Sequence, residues 1–230
     1  KFSFYLHGTK TPWLVRWPGH LKPGAVEEAN FISGIDYAPT VLDILGLPAL
    51  PRQDGASFRS LLENGCGNSR MPVAGRDSVQ TAFYQTVSYK FRPWTAEKQE
   101  KLLSEGYTDR PDLLNGFGGL VKDYHMRCLQ DDRFGYIYNE WSGGGNLFRS
   151  GMDGANHQAM ARYEPERLEH YHYRVPEEFY DFCNDPDART NLISEVSYRE
   201  KIDELRSRLL EGMRTYGDPL YEKAKSEIGP

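Results

Sequence analysis

The sequence predicts two parts of different class. Residues 1–62 read as the closing stretch of an α/β domain, and residues 78–230 as an α+β subdomain with a small antiparallel sheet and a C-terminal helix. Three observations carry this. Trp13–Trp17 is a short run of strand formers stopped by the turn dipeptide Pro18-Gly19, with a helical pattern beyond it. Four strand-like segments then gather in the second part, two of them separated by only four residues. Near the end, Ile202, Leu205, Leu209 and Met213 recur on one stripe of a helix. Strands followed by one amphipathic helix suggest a sheet covered on one face.

Element by element, Lys1–Tyr5 alternates like a strand or an extended segment, and Lys22-Pro23-Gly24 marks a turn. Asp36 stands where it can cap a helix carrying Val41, Leu42 and Leu45, and Gly46 stands where a left-handed stop belongs. A short helix is expected over Ser57–Leu62. Residues 63–77, with Gly65, Gly67, Asn68, Pro72 and Gly75, read as a connection between domains. The strands are Val79–Val87, His125–Gln130, Gly135–Glu140 and Glu178–Phe182, with Asp131-Asp132-Arg133 as a hairpin-like interval. A polar insertion, 90–123, carries a helix over Thr95–Glu105 ended by Gly106. The last helix opens on Ser197-Tyr198-Arg199-Glu200, the S-x-x-E pattern of a capping box. No internal repeat is visible.

Composition narrows the function classes. The 230 residues carry 28 Lys+Arg against 33 Asp+Glu, a formal charge of −5, which weighs against nucleic acid as the main partner. A hydrophobic fraction of 39% with 13% aromatics argues for a packed core, while a mean hydropathy of −0.67 signals a polar, loop-rich surface. No run reaches the roughly 18 apolar residues of a membrane-spanning helix, so no membrane partner is expected. Cys66, Cys128 and Cys183 lie too far apart for a zinc site or a disulfide framework. The sequence opens without Met, basic leader or apolar signal core, and so reads as a fragment whose beginning lies elsewhere.

Most motif-like clusters have plainer readings. Gly143–Gly145 lacks the G-x-x-x-x-G-K-[ST] spacing of a phosphate cradle and reads as a mobile loop. His170 and His172 would share one face of a strand, yet no carboxylate or Cys stands at ligand spacing, so hydrogen-bonded histidines are expected. Asp131-Asp132 reads as a solvated turn, and Cys66-Gly67-Asn68-Ser69-Arg70 as linker. The opening segment is the stronger candidate. Lys1, His7 and Lys10 fall within ten residues beside a predicted strand, and a cation cluster at a strand end suits an anion. An ordinary solvated loop is the competing reading.

Resemblance sharpens this. G-I-D-Y-A-P-T-V-L-D-I-L-G-L-P at 34–48 and Q-D-G-A-S-F-R-S-L-L at 53–62 follow a basic residue and the strand ending R-W-P-G at 16–19. Y-H-M-R-C-L at 124–129, F-G-Y-I-Y-N at 134–139 and P-E-E-F-Y-D-F-C-N-D-P-D-A-R-T-N-L at 176–192 continue the pattern. In combination the chain resembles the C-terminal portion of the sulfatase family, in the alkaline phosphatase superfamily. The Y-x-M-R, H-Y-H-Y-R and F-Y-D segments are similar to its heparan N-sulfatase-like members. The resemblance covers nearly the whole chain outside 90–123.

It implies a hydrolase acting on sulfate ester or N-sulfate of a sulfated sugar, such as a glycosaminoglycan, in an exported protein. Lys1 then matches the family's sulfate-contacting cation, and His7 and Lys10 in the following loop are expected substrate contacts. Tyr84-Gln85 falls where the N-sulfatase-like members carry a His-Glu pair facing the sugar, so a different glycan or sulfation position is expected. Arg127 matches a family arginine and reads as a structural ion pair. Calcium and a formylglycine nucleophile are implied for the whole enzyme. The C-x-[PSA]-x-R motif and the metal-ligating Asp pairs are absent from this sequence, so no metal residue is assigned, and an N-terminal catalytic half is the expected partner. Two other readings remain: a phosphoesterase or phosphonate hydrolase of the same superfamily, and a fragment without catalysis.

Overall fold

The computed structural model describes residues 4–64, 73–89, 95–109, 120–143, 148 and 155–230, without the side chains of Ala74, 85–89, 109 and 121. Two compact units emerge. One is Thr11–Val79 with Gln130–Asp132; the other is Gln80–Leu129 and Arg133–Pro230 with the described N-terminal residues through Lys10. In chain order, α1 (Leu6–Thr9) belongs to the larger unit, while α2 (Tyr37–Ile44) and α3 (Arg59–Asn64) belong to the smaller. The larger unit continues with β1 (Val79–Tyr89), α4 (Ala96–Ser104), β2 (Thr108–Asp109), β3 (Leu120–Gln130) and β4 (Phe134–Asn139). It ends with α5 (Ala155–Tyr163), α6 (Pro165–His172), β5 (Glu177–Asp181), α7 (Arg199–Thr215) and α8 (Tyr221–Ile228).

The strands form one sheet in the order β1-β3-β4-β5, with β2 paired to β3. β4 and β5 run antiparallel with Phe134 opposite Asp181, Tyr136 opposite Phe179 and Tyr138 opposite Glu177. β2 and β3 are antiparallel with Thr108 opposite Val121. This is the small antiparallel sheet with a C-terminal helix that the sequence predicts. β3 starts five residues earlier than expected because Lys122 disguises it. That side chain is buried, and its ammonium donates to the Glu105 carbonyl at 2.5 Å.

Alternation gives the sheet two apolar faces. On one, Leu129, Tyr136, Tyr138 and Phe179 pack against the α7 stripe Ile202, Leu205, Leu209 and Met213 and against Ala224 and Ile228 of α8. On the other, Tyr124, Met126, Cys128, Ile137 and Tyr180 pack with Phe4, Trp141 and Phe148. The predicted capping box of α7 does not form. Ser197 lies in a 3-10 turn and Tyr198 is the N-cap, its ring held near Phe134 and Phe179. Tertiary packing of that ring outweighs a local cap. His170 and His172 sit on helix α6, not on a strand; Pro165 at its first turn starts the helix.

In the smaller unit, Phe58, Leu61, Leu62 and Val73 form the core, joined by Leu21, Ile32 and Ala56. The strand expected at Trp13–Trp17 is an extended segment with no ladder, and Leu14 is 94% exposed. A strand forms only where a neighbour supplies hydrogen bonds, and none of the smaller unit's described segments does so here.

Candidate functional site

The motif residues of the smaller unit interlock around one carboxylate. Asp36 is fully buried and accepts from the backbone N–H groups of Ser33 at 2.7 Å and Ala56 at 2.9 Å. It also takes both guanidinium nitrogens of Arg76, at 2.5 and 3.0 Å. Asp36 is thus not the side-chain cap of α2 that the sequence suggests; its oxygens are spent on the 3-10 turn before the helix and on Ala56 and Arg76. Burial would push its carboxyl up, but the Arg76 and backbone hydrogen bonds prevail and hold it below the usual carboxylate range. Thr40 donates to the Asp36 carbonyl and accepts from the Phe58 amide. Gly55 is required because a Cβ there would lie 2.1 Å from the Ile35 carbonyl oxygen. The D-x-x-x-T and G-x-S segments are therefore structural.

A second buried network lies in the larger unit. Glu178 is fully buried and accepts from Tyr5 Oη at 3.0 Å, Tyr180 Oη at 2.6 Å and Asn139 Nδ2 at 2.5 Å. Burial pushes both phenols far up, so they stay protonated and donate. Arg174 is 3% exposed and lies over the rings of Phe148, Tyr5 and Tyr171 at 4.6, 5.2 and 5.2 Å. Its Nη1 points to the Met126 sulfur at 3.3 Å. The network pins the segment that carries His7. It was not visible in the sequence as a site, although the Glu177-Glu178 doublet on a strand obliges one of the two to face inward.

The sequence-derived site residues are placed unequally. Lys1 and the Gln85 side chain lie outside the described residues. His7, on α1, pairs its Nε2 with Asp187 Oδ1 at 3.1 Å, both side chains being exposed. Lys10 caps α1, its amide donating to the Leu6 carbonyl. His7 thus lies on α1 and Lys10 at its C-terminal end. Tyr84 is not with them: Phe83 faces the N-terminal segment, its ring 5.7 Å from Phe4, and Tyr84 turns to the other side of β1. There its hydroxyl meets Arg127, whose guanidinium lies 4.4 Å over the Tyr84 ring. Arg127 is wholly buried and forks onto Asp218 at 2.5 and 2.8 Å. Burial would raise the Asp218 carboxyl, but Arg127 and the Leu220 amide hold it low. This is the structural ion pair expected of Arg127.

The histidine pair reads as its plainer alternative, a hydrogen-bonded histidine. His172 Nε2 lies 2.9 Å from His157 Nε2, one ring donating to the other. Gly143 has a positive φ of 96°, and residues 144–147 and Cys66 lie outside the described residues. Cys128 and Cys183 are free thiols. Among the described residues no three His, Cys, Asp or Glu side chains are grouped to hold a metal ion, so these residues do not fit a calcium site and no step is routed through one. No described helix is long and apolar enough to cross a membrane.

Comparison with known proteins places this geometry. The chain is 26% identical over 223 residues to an ulvan-active sulfatase of Formosa agariphila, covering 96% of this chain and 36% of that protein. It is 25% identical over 225 residues to the N-sulphoglucosamine sulphohydrolase of Homo sapiens, covering 94% of this chain and 39% of that protein. The chain thus spans little more than a third of the length of these curated relatives. A solved structure in complex with its substrate D-glucosamine-2-N,6-O-disulfate shares the fold, with a TM-score of 0.50 at 19% identity over 89% of this chain and 28% of that one. The family model described as N-sulphoglucosamine sulphohydrolase, C-terminal, matches residues 1–132, and the chain belongs to that family.

Proposed function

We propose that this chain is the C-terminal part of a sulfatase that removes sulfate, as ester or N-sulfate, from a sulfated sugar. The observation that carries the reading is the family match through residues 1–132. The ladderless apolar segment Trp13–Trp17 supports it, because such a segment suits a sheet whose other strands belong to a catalytic half. That half would bring the calcium and the formylglycine, which supply the nucleophile; on this reading the protein is exported.

The residues of this chain then act by binding and charge. Lys1 provides a fixed cation against the negative charge that builds on the sulfuryl oxygens, a role worth several kcal/mol in a dry site. His7 is oriented by the Asp187 carboxylate and, with Lys10, extends the basic edge toward the sugar. Gln85 contributes to the wall that selects the glycan, while Tyr84, engaged by Arg127, is left out of it. For the organisation the proposal is domains at 1–62 and 78–230 joined by 63–77, adjusted so that residues 4–10 go with the second and Val73 and Arg76 with the first.

The test is sulfate release by the full-length protein from glucosamine N-sulfate and glucosamine 6-sulfate, with a phosphonate monoester as control. We expect a sulfated sugar to be the best substrate and Lys1→Ala to lower kcat/KM by about 10²–10³-fold. A preference for the phosphonate, or an unchanged kcat/KM in Lys1→Ala, overturns the reading.

A further inference from the structure

Two imidazoles, the side chains that change charge just below neutral pH, meet between α5 and α6. The Nε2 atoms of His157, on α5, and His172, on α6, lie 2.9 Å apart. The ring centroids stand 5.1 Å apart, close to that separation plus one ring radius at either end, so the rings meet head-on. A metal ion would need both lone pairs aimed at a third point. Here they face one another, and a single Nε2–H fills the gap. The contact carries weight because little else holds α5. Neither helix has a fully buried residue. Among the described residues, His157 is the one α5 side chain with a hydrogen bond, ion pair or ring contact outside its own helix; Arg162 lies over its neighbour Tyr163.

Proton counting gives this contact two settings. In the neutral pair one ring donates Nε2–H and the other accepts. A first added proton goes to the donor ring's Nδ1, and the bond survives as a charge-assisted one. A second must go to the accepting Nε2 itself. Two N–H groups of like charge then face each other where one hydrogen bond stood. The charged groups around the pair do not prevent this. Glu164 is engaged by Arg167 and Arg189, and the Arg174 cation lies over Tyr171, the ring next to His172. On α6, Glu169 stands at helical spacing from His172 and favours proton uptake, while Glu166 and His170 lie off that face. We propose that the His157–His172 bond is an acid-released latch, holding α5 on α6 while the pair carries at most one added proton and freeing α5 when the second arrives. α6 stays in place, because Arg167 bonds the Asp187 carbonyl and Tyr171 packs with the cluster around Phe148. Nothing in the latch depends on the sulfatase reading.

The experiment is hydrogen exchange of the full-length protein at about pH 7.5 and about pH 4.5, corrected for the intrinsic pH dependence, in the parent and in His157→Gln. In acid, peptides from 155–163 should lose about tenfold or more of their protection, while those from 199–215 in α7 keep theirs. His157→Gln cannot take the charge, so its 155–163 peptides should exchange at nearly the same corrected rate at both pH values. α5 contributes no buried residue, so this variant keeps the fold. Nitrogen NMR of the imidazoles gives a second readout, with the two rings assigned by loss in His157→Gln and in His172→Gln. The parent pair should titrate in two coupled steps, and the ring left in either variant in one. Unchanged protection of 155–163 in acid, an acid loss shared equally by 199–215, an equal acid loss in His157→Gln, or independent single-step titrations in the parent each overturns the proposal.

Discussion

Replacing Asp36 by Ala tests whether one carboxylate holds the smaller unit together. The side chain is fully buried and receives four N–H groups, two from backbone and two from an Arg76 side chain that is only 15% exposed. Removing it strands the guanidinium and leaves the Ser33 and Ala56 amides without their acceptor. Breaking one partner of a buried pair costs about 3–5 kcal/mol, so most of the unit's stability is at stake. Hydrogen exchange read on peptides spanning 33–64 isolates this unit from the sheet unit, whose amides should keep their protection. The acid limb gives a second measure. Because the folded carboxyl is held below its unfolded value, its contribution is present above the unfolded pKa and is lost as pH falls through the folded one. Asp36→Ala should therefore flatten the decline of stability below the usual carboxylate range. A loss under about 1 kcal/mol, or an acid limb as steep as in the parent protein, would refute the account.

Other outcomes follow from the same geometry. Gly55→Ala drives a methyl against the Ile35 carbonyl and should cost about 1–3 kcal/mol or more, measured as a lowered urea midpoint for the 33–64 region. Tyr5→Phe removes one donor from buried Glu178 and should cost about 1.5–3 kcal/mol in thermal unfolding. That cost should shrink in a Glu178→Gln background, as a double-mutant cycle requires. His7→Ala breaks only an exposed pair, so the melting temperature should hold while kcat/KM of the full-length protein falls about tenfold; unchanged kinetics would remove His7 from the site.

The sheet was legible because alternation is local. Phe134-Gly135-Tyr136-Ile137-Tyr138 and Glu178-Phe179-Tyr180 carry their pattern in five residues or fewer, and the α7 stripe repeats at helical spacing. His170-Tyr171-His172-Tyr173 alternates equally well, yet Pro165 five residues earlier starts a helix and decides otherwise. Asp36 was legible as a helix-start residue but not as an anchor, because Ala56 and Arg76 stand 20 and 40 residues away. Arg174 and Glu178 were hidden for a different reason. Charged residues default to the surface in any sequence reading, and only the surrounding phenols and the Met126 sulfur make burial tolerable.

The segment Trp13–Trp17 also bears on how the chain survives its own synthesis. An apolar run outside any ladder is a template for the wrong neighbour, and two tryptophans with Leu14 and Val15 make it adhesive. Pro12 and Pro18 close it on either side, and Arg16 places a charge inside it. Any foreign ladder is thereby limited to five residues, too few to propagate a stack. The prolines thus act as gatekeepers, guarding the run against aggregation.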